Sequence, residues 1–114
     1  MIAVIFEFTP ADGRTQDYFD LVAQLKPELE KAEGFLSIER FESLTTPGKF
    51  VSLQFWKDEA SVAKWRNLRL HRQAQAKGRA GIFREYRLRV AEVQRDYTLD
   101  QRAQAPKDSV ALHG

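Results

Sequence analysis

Ile2-Ala3-Val4-Ile5-Phe6-Glu7-Phe8, then Tyr18-Phe19-Asp20-Leu21-Val22-Ala23-Gln24-Leu25, is the stretch that decides the fold. In the first segment Ile2, Val4, Phe6 and Phe8 alternate with Ala3, Ile5 and Glu7, the period of two that marks a strand. Ile5 makes the second face partly apolar as well. Thr9-Pro10-Ala11-Asp12-Gly13 stops the strand with turn formers. From about Thr15 to Ala32 the period changes: Tyr18, Phe19, Val22, Leu25 and Leu29 recur at three- and four-residue steps, an amphipathic helix. Thr15 is the expected N-cap, Gly34 the expected stop, and Pro27 is expected to kink the helix or split off a last turn.

Working outward, Phe35–Glu42 and Phe50–Trp56 read as two strands joined by the hairpin loop Thr45-Thr46-Pro47-Gly48-Lys49. Asp58 caps a second helix with Glu59 in its first turn, where the helix dipole favours a negative charge. This helix is expected to run to about Lys77, with Val62, Trp65, Leu68/Arg69, Arg72 and Ala76 along one stripe. Gly78 and Gly81 end it, and Ile82-Phe83 are expected to plug the core. A last strand covers roughly Arg84 to Arg95, with Tyr86, Leu88 and Val90 alternating with Glu85, Arg87, Arg89 and Ala91.

The order β-α-β-β-α-β predicts an α+β, ferredoxin-like fold: a four-stranded antiparallel sheet with both helices on one face. The opposite face then presents Ile5 and apolar groups of the middle strands, and exposed apolar sheet faces usually mark interfaces. The expectation is a homodimer, two sheets packed face to face. Residues 1–97 form the domain. Residues 98–114 are polar and Ala-rich, either a loose tail or an arm laid on a partner subunit.

With 114 residues there is room for one domain and one modest core. The chain has no cysteine, which excludes disulfides, thiolate metal sites and cysteine nucleophiles and fits a cytoplasmic setting. The apolar start is too short to span a membrane and has no basic region ahead of it, so it reads as a strand and not a signal peptide. Charge is uneven: residues 1–63 carry −5, residues 64–95 carry +8 and residues 96–114 carry −1. The plain reading is solubility and pairing, with Arg87 and Arg89 answering Glu39, Glu42 or Glu85 across the sheet. The basic stretch lacks the basic-aromatic run of sheet-based RNA readers, so nucleic acid is not expected as a partner. Metal hydrolysis is equally unsupported, with two His and no H-E-x-x-H spacing.

Phe55-Trp56-Lys57-Asp58-Glu59-Ala60 followed by Trp65-Arg66-Asn67 resembles the antibiotic biosynthesis monooxygenase (ABM) domain family. Gly34-Phe35, His71, Gln73, Gly78-Arg79, Phe83, Tyr86 and Arg89-Val90-Ala91-Glu92-Val93 extend the resemblance over about residues 1–97. It implies a dimeric α/β barrel built from two ferredoxin-like subunits. Some members oxidise polycyclic phenols or quinols with O₂ and no metal or flavin; others bind and degrade haem; many have no assigned activity.

The resemblance implies a cofactor-independent monooxygenase acting on a small aromatic molecule, a quinol or polyphenol. The alternatives are a haem-binding or haem-degrading enzyme and a non-catalytic small-molecule-binding dimer. The first needs an apolar pocket, a base and a cation. Trp65 with Phe19, Val22 and Phe83 would wall the pocket. His71, the one His inside the domain, titrates near neutral pH and suits a general base. Arg79 or Arg84 would hold a developing phenolate and Tyr86 would orient it; Asn67 completes the candidate set. Each has a plainer reading. Trp65 fits a helix core, Asn67 fits a helix surface, and on a regular helix His71 lies about 120° from the apolar stripe, facing solvent. The haem-degrading pattern calls for an Asn on the first strand, which here has none. The phenol-oxidising pattern has an Asn one turn before the Trp and a Tyr about two turns beyond it, places occupied here by Ser61 and His71.

Overall fold

In a computed structural model the chain folds as β1 (Ile2–Pro10), α1 (Thr15–Lys31), β2 (Phe35–Glu42), β3 (Phe50–Trp56), α2 (Glu59–Arg66), α3 (Arg69–Lys77), a π-helical turn (Gly78–Ile82), β4 (Phe83–Glu92) and α4 (Lys107–His113). The backbone of all residues is described, as are all side-chain environments except those of Arg69, Leu70, Lys77, Gly78 and Arg79. The α+β, ferredoxin-like order expected from the sequence is present. Among the described residues no helix is long and apolar enough to cross a membrane.

The strands form one antiparallel sheet in the order β2-β3-β1-β4. The α/β barrel expected from the resemblance is not what forms: the sheet is open, with β2 and β4 as its edges, and does not close on itself. Register explains which side chains share a face. Ile2, Val4, Phe6 and Phe8 stand opposite Trp56, Gln54, Ser52 and Phe50 of β3, and Val4, Phe6 and Phe8 stand opposite Val90, Leu88 and Tyr86 of β4. On β2, Ile38 meets Gln54 and Arg40 meets Ser52. The helices cover this face over β1 and β3, while Tyr86, Leu88 and Val90 on β4 stay about half exposed.

Burial on that face is divided in two. One cluster is Ile2, Leu29, Trp56, Val62 and Trp65; the other is Phe8, Tyr18 and Ile82. They occupy opposite ends of the strands, and α1 links them. Tyr18 and Leu29, its two fully buried residues, are separated by about 16 Å of helix rise. Ile82 closes the second cluster as expected, while the chain turns at Gly81 with φ +107, a left-handed value suited to Gly.

Other local expectations are revised. Arg14, not Thr15, stands at the α1 cap, and Thr15 is already helical; α1 runs unbroken through Pro27 to Lys31. The second helix is not one segment. It stops after Arg66: Asn67 adopts φ −94, ψ 0, and its backbone N–H and Nδ2 both donate to the Ala63 carbonyl, at 3.1 and 2.8 Å. The next N–H, of Leu68, turns back to Trp65 and leaves the i−4 ladder. When the helix resumes as α3, its inward residues are His71 and Ala74; Arg72 and Ala76 face solvent. Arg89 pairs with Glu7 at 3.2 Å rather than with Glu39, Glu42 or Glu85. The tail beyond residue 97 is not wholly irregular, since it contains α4.

Candidate functional site

Between the two core clusters, under α1 and above the middle of the sheet, lies a cavity of about 690 Å³. Its origin is visible in β3. Phe50 and Trp56 fill the two ends of the strand, whereas Ser52 and Gln54 between them are too small or too polar to fill the middle. Ser52 is only 3 % exposed and forms the floor. Gln54 Oε1 accepts from Trp56 Nε1 at 2.9 Å, which satisfies the indole and holds the amide beside the cavity. Phe6 and Val4 continue the floor into β1, and Leu88 and Val90 into β4. A cavity of this volume with mostly apolar walls and few polar groups suits a small organic molecule.

At one end stand Trp65 and His71. Trp65 is buried in α2 against Trp56, ring centroids 6.2 Å apart. His71, from the first turn of α3, lies 5.1 Å from the Trp65 ring at 38°. Its Nδ1 faces the Arg66 carbonyl at 3.4 Å. A carbonyl only accepts, so the tautomer that uses this contact carries its hydrogen on Nδ1 and its lone pair on Nε2. Burial holds the imidazole below its ordinary pKa; the Arg66 carbonyl opposes that effect, and the neighbouring Arg72 and Arg66 charges add to it. The neutral form, the one that can take a proton, is therefore favoured at neutral pH.

At the other end Tyr18 is 4 % exposed, and its hydroxyl accepts from Arg40 Nε at 3.1 Å. Burial raises the phenol above its ordinary pKa, against the charge and hydrogen bond of Arg40, so it remains a neutral hydroxyl. Phe8 and Phe83 pack on its ring at a tilt, centroids 4.3 and 5.7 Å away, and Phe6 and Tyr86 extend the aromatic cluster.

Of the residues picked out in the sequence, Trp65, His71, Tyr86, Phe19, Val22 and Phe83 all line this one cavity. Asn67 does not: it caps α2, and its Oδ1 accepts from Arg72. Arg84 is exposed and away from the lining, and Arg79 lies outside the described residues. Sequence reasoning missed Tyr18 as a polar group, Ser52, Gln54 and Arg40. The signal for Arg40 was present, because it alternates with Ile38 on the face that should be apolar.

Comparison with known proteins places this geometry in a family. The family model described as antibiotic biosynthesis monooxygenase matches residues 1–77. A jasmonate monooxygenase ABM of Pyricularia oryzae is 43 % identical over 93 residues, covering 82 % of this chain. The chain spans 43 % of the length of that relative. The uncharacterized protein YqjZ of Bacillus subtilis is 27 % identical over 93 residues, 82 % of this chain and 79 % of its own. Among solved structures, a Deinococcus radiodurans protein assigned as an antibiotic biosynthesis monooxygenase superposes with a TM-score of 0.76. It has 14 % identity and covers 87 % of this chain and 98 % of its own, a likeness of fold alone. On the match to more than half of its length, the chain belongs to the antibiotic biosynthesis monooxygenase family.

Proposed function

We propose that this chain is a cofactor-independent monooxygenase that oxidises a small phenolic or quinol-like molecule with O₂ inside the cavity between sheet and helices. The observation that carries the reading is His71, an imidazole that burial keeps neutral, set against Trp65 on the wall of a mostly apolar cavity. Family membership and the named activity of the Pyricularia oryzae relative support an oxidoreductase acting on a small molecule.

In this reading the substrate supplies every electron. His71 Nε2 takes the acidic proton, the resulting anion transfers electrons to O₂, and a ring carbon, the C–H of the phenol or the CH₂ of its anthrone-type keto tautomer, becomes a carbonyl. One oxygen atom enters the product and the other leaves as water, so no external reductant is consumed. The apolar side chains of β1 and α1 lower the polarity around the anion, and Tyr86, half exposed on β4, orients the ring.

A second reading is haem binding, since His71 is the one imidazole on the cavity among the described residues and imidazole is a haem ligand. One experiment separates the two. Oxygen uptake is followed with anthrones and quinols, with jasmonate included in the panel, in the absence of added cofactor, beside a haemin titration. Stoichiometric uptake with ¹⁸O in the product, lost in His71→Gln, is expected. No uptake from any compound, together with a saturable Soret shift lost in His71→Gln, overturns the first reading in favour of haem.

The chain is proposed to act as a homodimer. Ile5, Val51, Leu53 and Phe55 lie on the sheet face away from the helices, with Phe41 beside them 45 % exposed, an apolar surface suited to a second copy. The tail 98–114 is the segment available to lie across that partner. Sedimentation velocity of the full chain tests this, with Leu53→Asp expected to yield monomers.

A further inference from the structure

We infer that Arg40, steadied by Tyr18, is the specificity-determining residue of the cavity and receives the carboxylate of an amphipathic organic acid whose apolar body lies toward Trp65. The inference rests on the proposed use of the cavity as a substrate site and adds the substrate's charge.

Four observations converge on it. Arg40 sits by register on the helix-covered face of β2, between Ile38 and the floor residue Ser52, where strand alternation calls for an apolar side chain. The residue is exposed despite lying on that face, so a ligand entering the cavity can reach its guanidinium. Its guanidinium is also oriented: Nε donates to the buried Tyr18 hydroxyl at 3.1 Å, which aims the two terminal amino groups without occupying them. The planar fork matches a carboxylate through two parallel hydrogen bonds.

Arg40, in addition, has no acidic partner within ion-pair distance among the described residues, unlike Arg14, Lys49, Lys64 and Arg89. Its neighbours Glu39 and Glu42 do not answer it; the Glu42 carboxylate accepts from the Gly48 backbone N–H at 3.2 Å, and Glu39 stands opposite Leu53 in register. Finally, the charged lining of the cavity is mainly positive: Lys26, Arg40 and Arg66 against Glu39 alone. Such a chamber concentrates anions and disfavours cations before any contact is made. Tyr18 contributes twice, since its oxygen fixes Arg40 and its own proton can go to the same carboxylate.

The test uses two probes of nearly equal shape, 1-naphthylacetate and 1-naphthaleneacetamide, titrated calorimetrically into the full chain at pH 7.5. The acid is expected to bind roughly tenfold more tightly than the amide. Arg40→Gln should erase that preference while leaving the amide's affinity unchanged, and Arg40→Lys should restore part of it. Tyr18→Phe, which removes only the positioning hydroxyl, should reduce the acid-to-amide ratio about threefold with little change for the amide. Arg87→Gln, on the opposite sheet face, should leave the ratio intact. Equal affinity of acid and amide for the wild-type chain, or an undiminished preference in Arg40→Gln, overturns the inference and leaves the cavity reading standing. Failure of both probes to bind removes the cavity as a binding site, and the inference with it.

Discussion

The rings of Trp65 and His71 lie 5.1 Å apart at 38°, across the break that Asn67 makes between α2 and α3. On one continuous helix, six residues of separation would turn His71 well away from Trp65. The interruption at Asn67 brings them together.

The pH response of His71 follows from its burial. Its pKa is held below the ordinary 6.5, so the unfolded chain binds that proton more readily than the folded one. Stability from this group is complete above about pH 6.5 and is lost as pH falls below it. The acid limb of kcat/KM for an oxidised substrate should likewise have its midpoint below 6.5. His71→Gln should lower kcat/KM by about a hundredfold or more and flatten that limb. A limb that survives the substitution would assign the base elsewhere.

Trp65 serves both core and cavity, and one substitution cannot separate the roles. Trp65→Ala should cost about 3–5 kcal/mol, because a 5 % exposed indole leaves a void against Trp56 and Leu29. Trp65→Phe keeps most of the packing. It should leave the unfolding midpoint in urea within a modest shift of wild type, yet weaken naphthyl probe binding measurably. If Trp65→Phe binds the probe as well as wild type, the ring is a core residue only.

The fold was legible because its period changes are clean: Ile2, Val4, Phe6 and Phe8 at two, then Tyr18, Val22, Leu25 and Leu29 at three and four. The site was legible in part. Trp65, Phe83 and Tyr86 carry aromatic area that must be buried or lined, and this shows in sequence. The break at Asn67 did not, since a single Asn in a helical pattern is common and its effect depends on whether its amide reaches the Ala63 carbonyl. Reading the helix as continuous turned His71 outward and put Arg72 and Ala76 inward. Openness of the sheet was equally hidden, because strand order and edge pairing are tertiary outcomes that no strand encodes alone.

Gly34 tests how tightly β2 is keyed to α2. Its φ is +82, and a Cβ there would overlap the Ser61 side chain. Gly34→Ala therefore combines left-handed strain of roughly 1–2 kcal/mol with a direct clash. A loss of at least about 3 kcal/mol is expected from chemical denaturation. Adding Ser61→Gly should relieve the clash and leave the strain, a positive coupling in the double-mutant cycle. Simple additivity of the two changes would mean that the close approach is relieved by backbone movement.

Ser52 provides the most direct check on the cavity, because its role there is to be small. It is 3 % exposed, faces Phe6 and Arg40 across the sheet register, and leaves room that Phe50 and Trp56 on the same strand would have filled. Ser52→Leu places an apolar side chain in that room, where overpacking is avoided by the existing space. The variant should fold with an unfolding midpoint equal to or above that of wild type, since it buries apolar area without removing a contact. Binding of 1-naphthaleneacetamide should fall by tenfold or more, as should turnover of any oxidised substrate. Ser52→Ala, which changes little volume, should retain both. If Ser52→Leu is stable and still binds the amide as wild type does, the ligand lies outside the chamber between the two core clusters.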